Sequence, residues 1–431
     1  MTQRQLHLLL NVQSAGIHPA AWRMPEGRPH GFLDPAYYRE IGALAERGLF
    51  DAVFLADHST LWQNPAAGPG WALDPLVTLA GLAAHTTRIG LVASISTTFS
   101  QPYPVARAIA SLDHASAGRA GWNVVTSWDE RAARNFDIQA LPPREDRYRR
   151  AAEFVGVVRR LWDSWEPGAL VADAACGLFA DPARIHAIDH AGAFHTVRGP
   201  LQLPRTPQGR PAIFQAGGSE GGRDLAARHA DAVFTAQADR EASRAYRADL
   251  QSRAAALGRT DGGPRVFPGV IVVTGRTEAE ARGKRARLDA LLGGEPALLA
   301  RFARALGVPV QRLALERPFP EDLIAPAVAA NPRQGFADAL AAQLADRGRT
   351  VRDHLEQGAI GQRSLVGSAD AVADALQQWF EGGAADGFVV MCDILPGGLA
   401  DVVELVVPRL QERGIYPREY AAATLRERLA H

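Results

Sequence analysis

Eight short apolar runs, most followed by an amphipathic helical stretch, alternate along almost the whole 431-residue chain. They are "LHLLLNVQ" (6–13), "DAVFLAD" (51–57), "IGLVASIST" (89–97), "AGWNVVTS" (120–127), "AIFQAGG" (212–218), "DAVFTAQ" (231–237), "VFPGVIVVTG" (266–275) and "GFVVMCDI" (387–394). Strands that return in the same direction need a helix between them, so this alternation predicts a parallel α/β architecture. Eight such units predict a (β/α)8 TIM barrel, with an open doubly wound sheet as the alternative. Helical stretches such as "PAYYREIGALAERG" and "LADVVELVVPRLQERG" end on Gly48 and Gly414, as C-capped helices do.

Two spacings exceed a barrel loop, about 163–211 and about 292–366. The first is Gly/Pro-rich and irregular. The second carries helical periodicity in "EPALLARFARALG" and "QGFADALAAQLADRG". Both are expected to be insertions in one domain, 1–431, acting as lids or oligomer contacts.

Charge and cysteine content narrow the functional classes. Lys+Arg and Asp+Glu are both 47, so no basic field draws nucleic acid or anionic lipid. Cys176 and Cys392 stand far apart, which rules out a disulfide framework or a CxxC site. The first residues hold too short an apolar run for a signal peptide, and no run reaches the ~20 residues of a membrane span. A cytoplasmic location is expected.

Barrel chemistry gathers at the C-terminal ends of the strands. The residues there are Asn11, Gln13, Asp57, Ser96 to Thr98, Asn123, Thr126, Ser127, Gly217 to Ser219 and Gln237. They are polar and, apart from Asp57, uncharged, which suits hydrogen bonding to a heteroaromatic ring better than holding a metal. Each alone also serves as a turn or cap residue. "QAGGSEGGRDLAA" runs a strand through glycines into a helix start at Ser219, a cradle for an anion or phosphate. The same letters satisfy G-x-S-x-G, so a serine hydrolase is a remote alternative; its weakness is the lack of a suitable downstream His. No G-x-G-x-x-G, P-loop or H-E-x-x-H motif occurs. His186 and His190 have metal-pair spacing, but the segment is broken by glycine and favours a structural role; no metal site is expected.

Several of these segments, "FDAVFLAD", "RIGLVASISTTFSQPYPVARAIASLDHASAGRAGWNVVTS", "RYRRAAEFVGVVRRLWDSWE" and "GRPAIFQAGGSEGGRDLAARHADAVFTAQ", resemble the bacterial luciferase-like flavin monooxygenases. The likeness is to the branch with nitrilotriacetate, dibenzothiophene-sulfone and long-chain alkane monooxygenases. It implies a barrel that takes reduced FMN from a separate NAD(P)H:flavin reductase and forms a flavin hydroperoxide with O2. That adduct would oxygenate a small organic substrate such as an organosulfur compound, amine, aminocarboxylate or heterocycle. A homodimer or homotetramer is implied too, and a deazaflavin oxidoreductase of the same fold is the alternative.

Residue by residue, the resemblance puts Asp57 beside the flavin ring and Thr97 at the ring or ribityl chain. Asn123 and Ser127 line the flavin and substrate cavity, with Thr126 beside them. Tyr148, Gly218 and Ser219 hold the phosphate, and His18 lies near the ring. His18, Asn123 and Ser127 are the catalytic candidates. Arg144, one turn before Tyr148, adds a charge to the phosphate site. Phe99, Trp22, Trp62 and Trp122 are candidate apolar walls, plain core being the commoner outcome for any single Trp; Asn123 is expected to face the cavity with Trp122 and the valines packed. Two departures stand out: "DHASAGRAGW" has Ala117 where glycine is expected, and Ser127 stands where some relatives carry a His.

Overall fold

The computed structural model describes residues 4–61, 64–70, 73–237, 239–330, 337–357 and 362–430. All eight predicted strands form: β1 (His7–Val12), β2 (Ala52–Leu55), β3 (Gly90–Ser96), β4 (Ala120–Val125), β5 (Ala212–Ala216), β6 (Ala232–Thr235), β7 (Arg265–Gly275) and β8 (Gly387–Cys392). Each pairs in parallel with the next, and β8 pairs with β1 through His7↔Gly387 to Leu10↔Val390. The ring therefore closes as a (β/α)8 barrel.

Alternation along the strands separates two cores. Leu9, Phe54, Val92, Phe214, Phe267 and Val389 point inward and fill the barrel. Their neighbours face the helices, where Trp122 packs against Phe154 and, edge-on, against Trp162. Leu425 and Leu429, from a terminal helix (Leu425–Ala430), join the inner core and stop the N-terminal end of the barrel. Arg428 fixes that helix by donating to the carbonyls of Arg88 (2.7 Å) and Asp51 (3.0 Å).

The first long excursion carries two hairpins, Leu170–Asp173 with Leu178–Ala180 and His190–Ala191 with Thr196–Val197. The Glu153 carboxylate organises the second, facing His190 Nε2 (3.0 Å) and accepting from the His195 amide (2.8 Å). His186 pairs instead with Glu166 (2.7 Å), so the two imidazoles serve different carboxylates.

The second excursion holds the helix Gly294–Leu306 and three shorter helices around Phe302, Leu306, Phe319 and Leu344. Near its expected end, about 366, Arg363–Ser368 forms a strand outside the eight-strand ring. This ninth strand lies parallel to β7. β7 spans eleven residues, and one edge serves two partners: Arg265 to Pro268 pair with β6, Val270 to Gly275 with the ninth strand.

Ala117, the departure from glycine, ends the turn after the helix Pro102–Ala115 with φ +53°. The left-handed turn is kept with an L side chain in it, at a cost of about 1–2 kcal/mol. Among the described residues, no helix is long and apolar enough to cross a membrane.

Candidate functional site

The C-terminal ends of β3 and β4 form one polar corner. Ser94 and Asn123 are register partners on inward positions, so the amide Nδ2 of Asn123 donates to Ser94 Oγ at 2.9 Å. Asn123 Oδ1 is buried without a partner, and so is Asn11 Oδ1 on β1. Buried acceptors of this kind are normally satisfied. Two residues further along, Ser96 Oγ receives the amides of Thr98 (3.1 Å) and Phe99 (3.2 Å) and contacts Ser127 Oγ at 2.7 Å. With two donors already on Ser96, its own proton goes to Ser127. The Ser127 amide donates to Thr98 Oγ1 at 3.2 Å, which locks the corner. Thr97 is fully buried, and its hydroxyl donates to the Val125 carbonyl (3.1 Å). Thr126 is half-buried between this corner and the loop that follows.

A second cluster lies where β5 meets the helix Glu220–His229. Ser219 caps that helix, its Oγ accepting from the Gly222 amide (3.3 Å) and donating to Tyr148 Oη (3.0 Å). Gly221 allows this approach, since a Cβ there would lie 3.0 Å from Tyr148 side-chain atoms. Two carbonyls are held by side chains: Gly217 O accepts from Tyr246 Oη (2.7 Å) and Gly218 O from Arg223 Nε (2.9 Å). The first-turn amides of a helix lack intrahelical partners and carry the positive end of its dipole.

Tyr148 belongs to the helix Arg144–Trp162, and its first turns bind the two clusters together. Arg147 donates to the Ser127 carbonyl, and Arg150 Nε to the Thr97 carbonyl at 3.3 Å. Burial, then the charge of Arg144, lowers the Arg147 guanidinium, so two cations stand at this helix start. Arg144 itself is exposed. Arg147 and Arg150 are absent from the sequence-based candidates, although the spacing of 144, 147 and 150 marks one helix face.

Across the mouth, a cleft is lined by Gln13, His18, Trp22, Asp57, Gly68 and Arg301, among others. His18 Nδ1 accepts from the Ala20 amide (3.2 Å), so Nε2 carries the proton and donates to Asp289 Oδ1 (3.1 Å). Arg285 Nε holds the other Asp289 oxygen at 2.9 Å. Burial lowers the imidazole, and neither ring nitrogen is free to move a proton. Asp57 is open to the cleft, yet the surrounding protein raises its carboxyl, with Asp74 adding to the effect. Arg301 comes from the second excursion, which therefore walls this side.

Of the apolar walls, Trp22 lines the cleft and Phe99 stacks on Phe136 with centroids 4.7 Å apart. Trp122 packs in the helix-facing core, and Trp62 lies outside the described residues. The loop after β4 is tied across the mouth by Thr60 Oγ1 to Asp129 (2.9 Å) and Asn135 to the Ser59 carbonyl (2.8 Å). The nucleophile-elbow reading of Ser219 fails. Its hydroxyl is a helix cap bonded to a phenol, and His229 sits at the opposite end of that helix.

A closed parallel barrel with a glycine-and-serine helix cradle and a polar mouth defines a class, and comparison with known proteins gives its family. Residues 5–386 match the luciferase-like monooxygenase family, and the chain belongs to it, which places it among flavin-dependent monooxygenases. Component A of nitrilotriacetate monooxygenase from Aminobacter aminovorans is 40% identical, with 99% of this chain and 96% of that protein covered. A dibenzothiophene-sulfone monooxygenase from Rhodococcus erythropolis is 39% identical over 100% of this chain and 97% of its own. Among solved structures, the EDTA monooxygenase of Chelativorans sp. BNC1 superposes with a TM-score of 0.83 at 33% identity, covering 99% of this chain and 98% of that one.

Proposed function

We propose that this protein is the oxygenase of a two-component system, taking reduced FMN from a separate NAD(P)H:flavin reductase and using O2 to oxygenate a small organic substrate at the barrel mouth. The observation that carries the FMN reading is the Ser219–Tyr148 pair at a helix N-terminus, on the same face as the orphaned oxygen of Asn123. The donor set fits the cofactor. Ser219, the first-turn amides, Tyr148 and the Arg144/Arg147 pair suit a phosphate. Asn11 and Asn123 offer acceptors that a ring bearing N–H groups would satisfy. When bound, reduced FMN supplies the two electrons and the oxygen-activating chemistry.

The chain's own part is placement and exclusion of water. Asn123 and Asn11 accept from the ring. Ser127, supplied with the Ser96 proton, presents its own hydroxyl proton toward the cavity. Thr97 and Thr126 shape the floor through their backbone, Thr97 being held by Arg150. His18 positions the cleft wall as a neutral imidazole, and Asp57 borders the ring. Arg301 has no ion-pair partner among the described residues, which favours an anionic substrate, an aminocarboxylate foremost among the classes considered. The exposed residues Leu170, Val171, Leu178 and Phe179 on the outlying hairpin provide a surface for a homodimer or homotetramer.

Anaerobic titration with photoreduced FMN should show saturable binding that weakens in Ser219→Ala with Tyr148→Phe. With a flavin reductase present, isotopically heavy dioxygen should appear in the product of an aminocarboxylate. Unchanged affinity in the double variant would sink the phosphate assignment, and water-derived oxygen in the product would sink the oxygenase reading.

A further inference from the structure

We propose that the opposite, N-terminal face of the barrel carries a second binding site, for a compact oxyanion with two or more negative charges. A cavity of ≈ 260 Å³ opens there, walled by Arg159, Arg210, Arg228, Arg259, Arg426 and His229. These residues lie where β5, β6 and β7 begin: Arg210 precedes Ala212, His229 precedes Ala232 and Arg259 precedes Arg265. The flavin site proposed above lies where the same strands end, so this inference does not depend on it.

The charge is unbalanced. Arg210 is held by Asp163, Arg259 by Asp261 (2.7 Å) and Arg426 by Asp231 (3.3 Å). Among the described residues, no carboxylate lies within 4.0 Å of Arg159 or Arg228. Arg159 is half-buried, and among the described residues its side chain hydrogen-bonds a neutral acceptor, His229 Nδ1 at 3.2 Å. Removing a cation from water without an anion is unfavourable. Desolvation, then Arg210 and Arg426, weakens the Arg159 guanidinium, while Asp231 and Asp163 support it.

His229 reports the same field. Burial first, then Arg159, Arg228 and Arg259, pulls its pKa down to about 3, so the ring stays neutral and serves Arg159 as an acceptor. An anion between these arginines would gain charge-assisted, paired N–H donors from planar guanidinium groups, the geometry that recognises phosphoryl and carboxylate oxygens. The cavity also has apolar walls at Pro211 and Ile213, a polar one at Thr260 and carboxylates at Asp231 and Asp261, which leaves five lining arginines against two aspartates. Its size suits a diphosphate or a tricarboxylate, not a nucleic acid or a protein surface.

Calorimetric titration of the intact, flavin-free protein with sodium pyrophosphate, at fixed ionic strength, should give saturable binding. Citrate run in parallel distinguishes a phosphoryl from a polycarboxylate ligand, and saturation by either one supports the site. Arg228→Gln, an exposed change that leaves the fold intact, and Arg159→Gln should each weaken binding by about tenfold, the scale of a lost charge-assisted bond. Neither should alter affinity for reduced FMN. Ser219→Ala with Tyr148→Phe should leave pyrophosphate affinity unchanged. In NMR spectra at constant neutral pH the His229 ring resonances should shift on saturation. Heat that vanishes at matched ionic strength, binding that survives both arginine changes, or an unmoved His229 would each overturn the proposal.

Discussion

Ser219 Oγ donates to Tyr148 Oη across 3.0 Å, joining the helix after β5 to the helix that follows β4. One hydroxyl thus caps a helix and fixes a phenol on a neighbouring element, so its removal has two separable effects.

Ser219→Ala should destabilise the protein by about 1 kcal/mol through the lost cap. Tyr148→Phe, which leaves the cap alone, should change stability less. Both should weaken FMN binding by about tenfold, the equivalent of about 1.4 kcal/mol. Thermal unfolding without flavin, set beside an anaerobic flavin titration, separates the two quantities.

Asn123→Leu removes an acceptor that has no partner within the protein along with one bond to Ser94. The flavin-free variant should unfold within about 1–2 kcal/mol of the parent, because an unsatisfied buried group is lost with the bond. Substrate turnover should fall at least about tenfold. A variant with full turnover would remove Asn123 from the site.

Ala117→Gly should stabilise the chain. The left-handed φ of +53° strains alanine, while the freedom glycine adds to the unfolded chain offsets only part of that relief. A gain of about 0.5–1 kcal/mol in denaturant unfolding is expected, with activity unchanged.

Leu425→Ala opens a cavity beneath the inner core. Leu425 is fully buried among residues from several strands, so the cost should be about 2–5 kcal/mol, read as a lower unfolding midpoint.

Asp393, buried just past β8, has its carboxyl raised to about 7 by desolvation, with Asp401 adding to the shift. The folded chain therefore holds a proton that the unfolded chain releases near pH 4. Stability should fall as pH rises from about 4 to about 7 on account of this group. Asp393→Asn removes the dependence, so it should raise the unfolding temperature more at pH 8 than at pH 5. An equal change at both values would refute the assignment.

The barrel was legible because each of its strands is a short apolar run with a helix-length gap behind it. "RSLVGS" at 363–368 gives no such pattern, being half-buried, poor in apolar residues and supported on one side by β7. The terminal helix was equally silent, since six residues with two inward leucines read the same in a loop. Trp122 follows from strand parity: a polar Asn123 on the cavity side leaves its neighbour packed against the helices, where it meets Phe154 and Trp162. Arg147 and Arg150 act through backbone carbonyls of the β3 and β4 ends, contacts that no local spacing encodes.

The divided edge of β7 bears on how such a chain can diversify. Its first residues close the ring with β6, and its later ones carry the ninth strand, so the long excursion before β8 is moored outside the ring's own pairing. Segments placed there can lengthen, shorten or be exchanged while the eight-stranded frame keeps its register. A graft between relatives cut at Gly275 and Ser368 should transfer the cleft wall that carries Arg301 and leave the cofactor cradle of the recipient untouched.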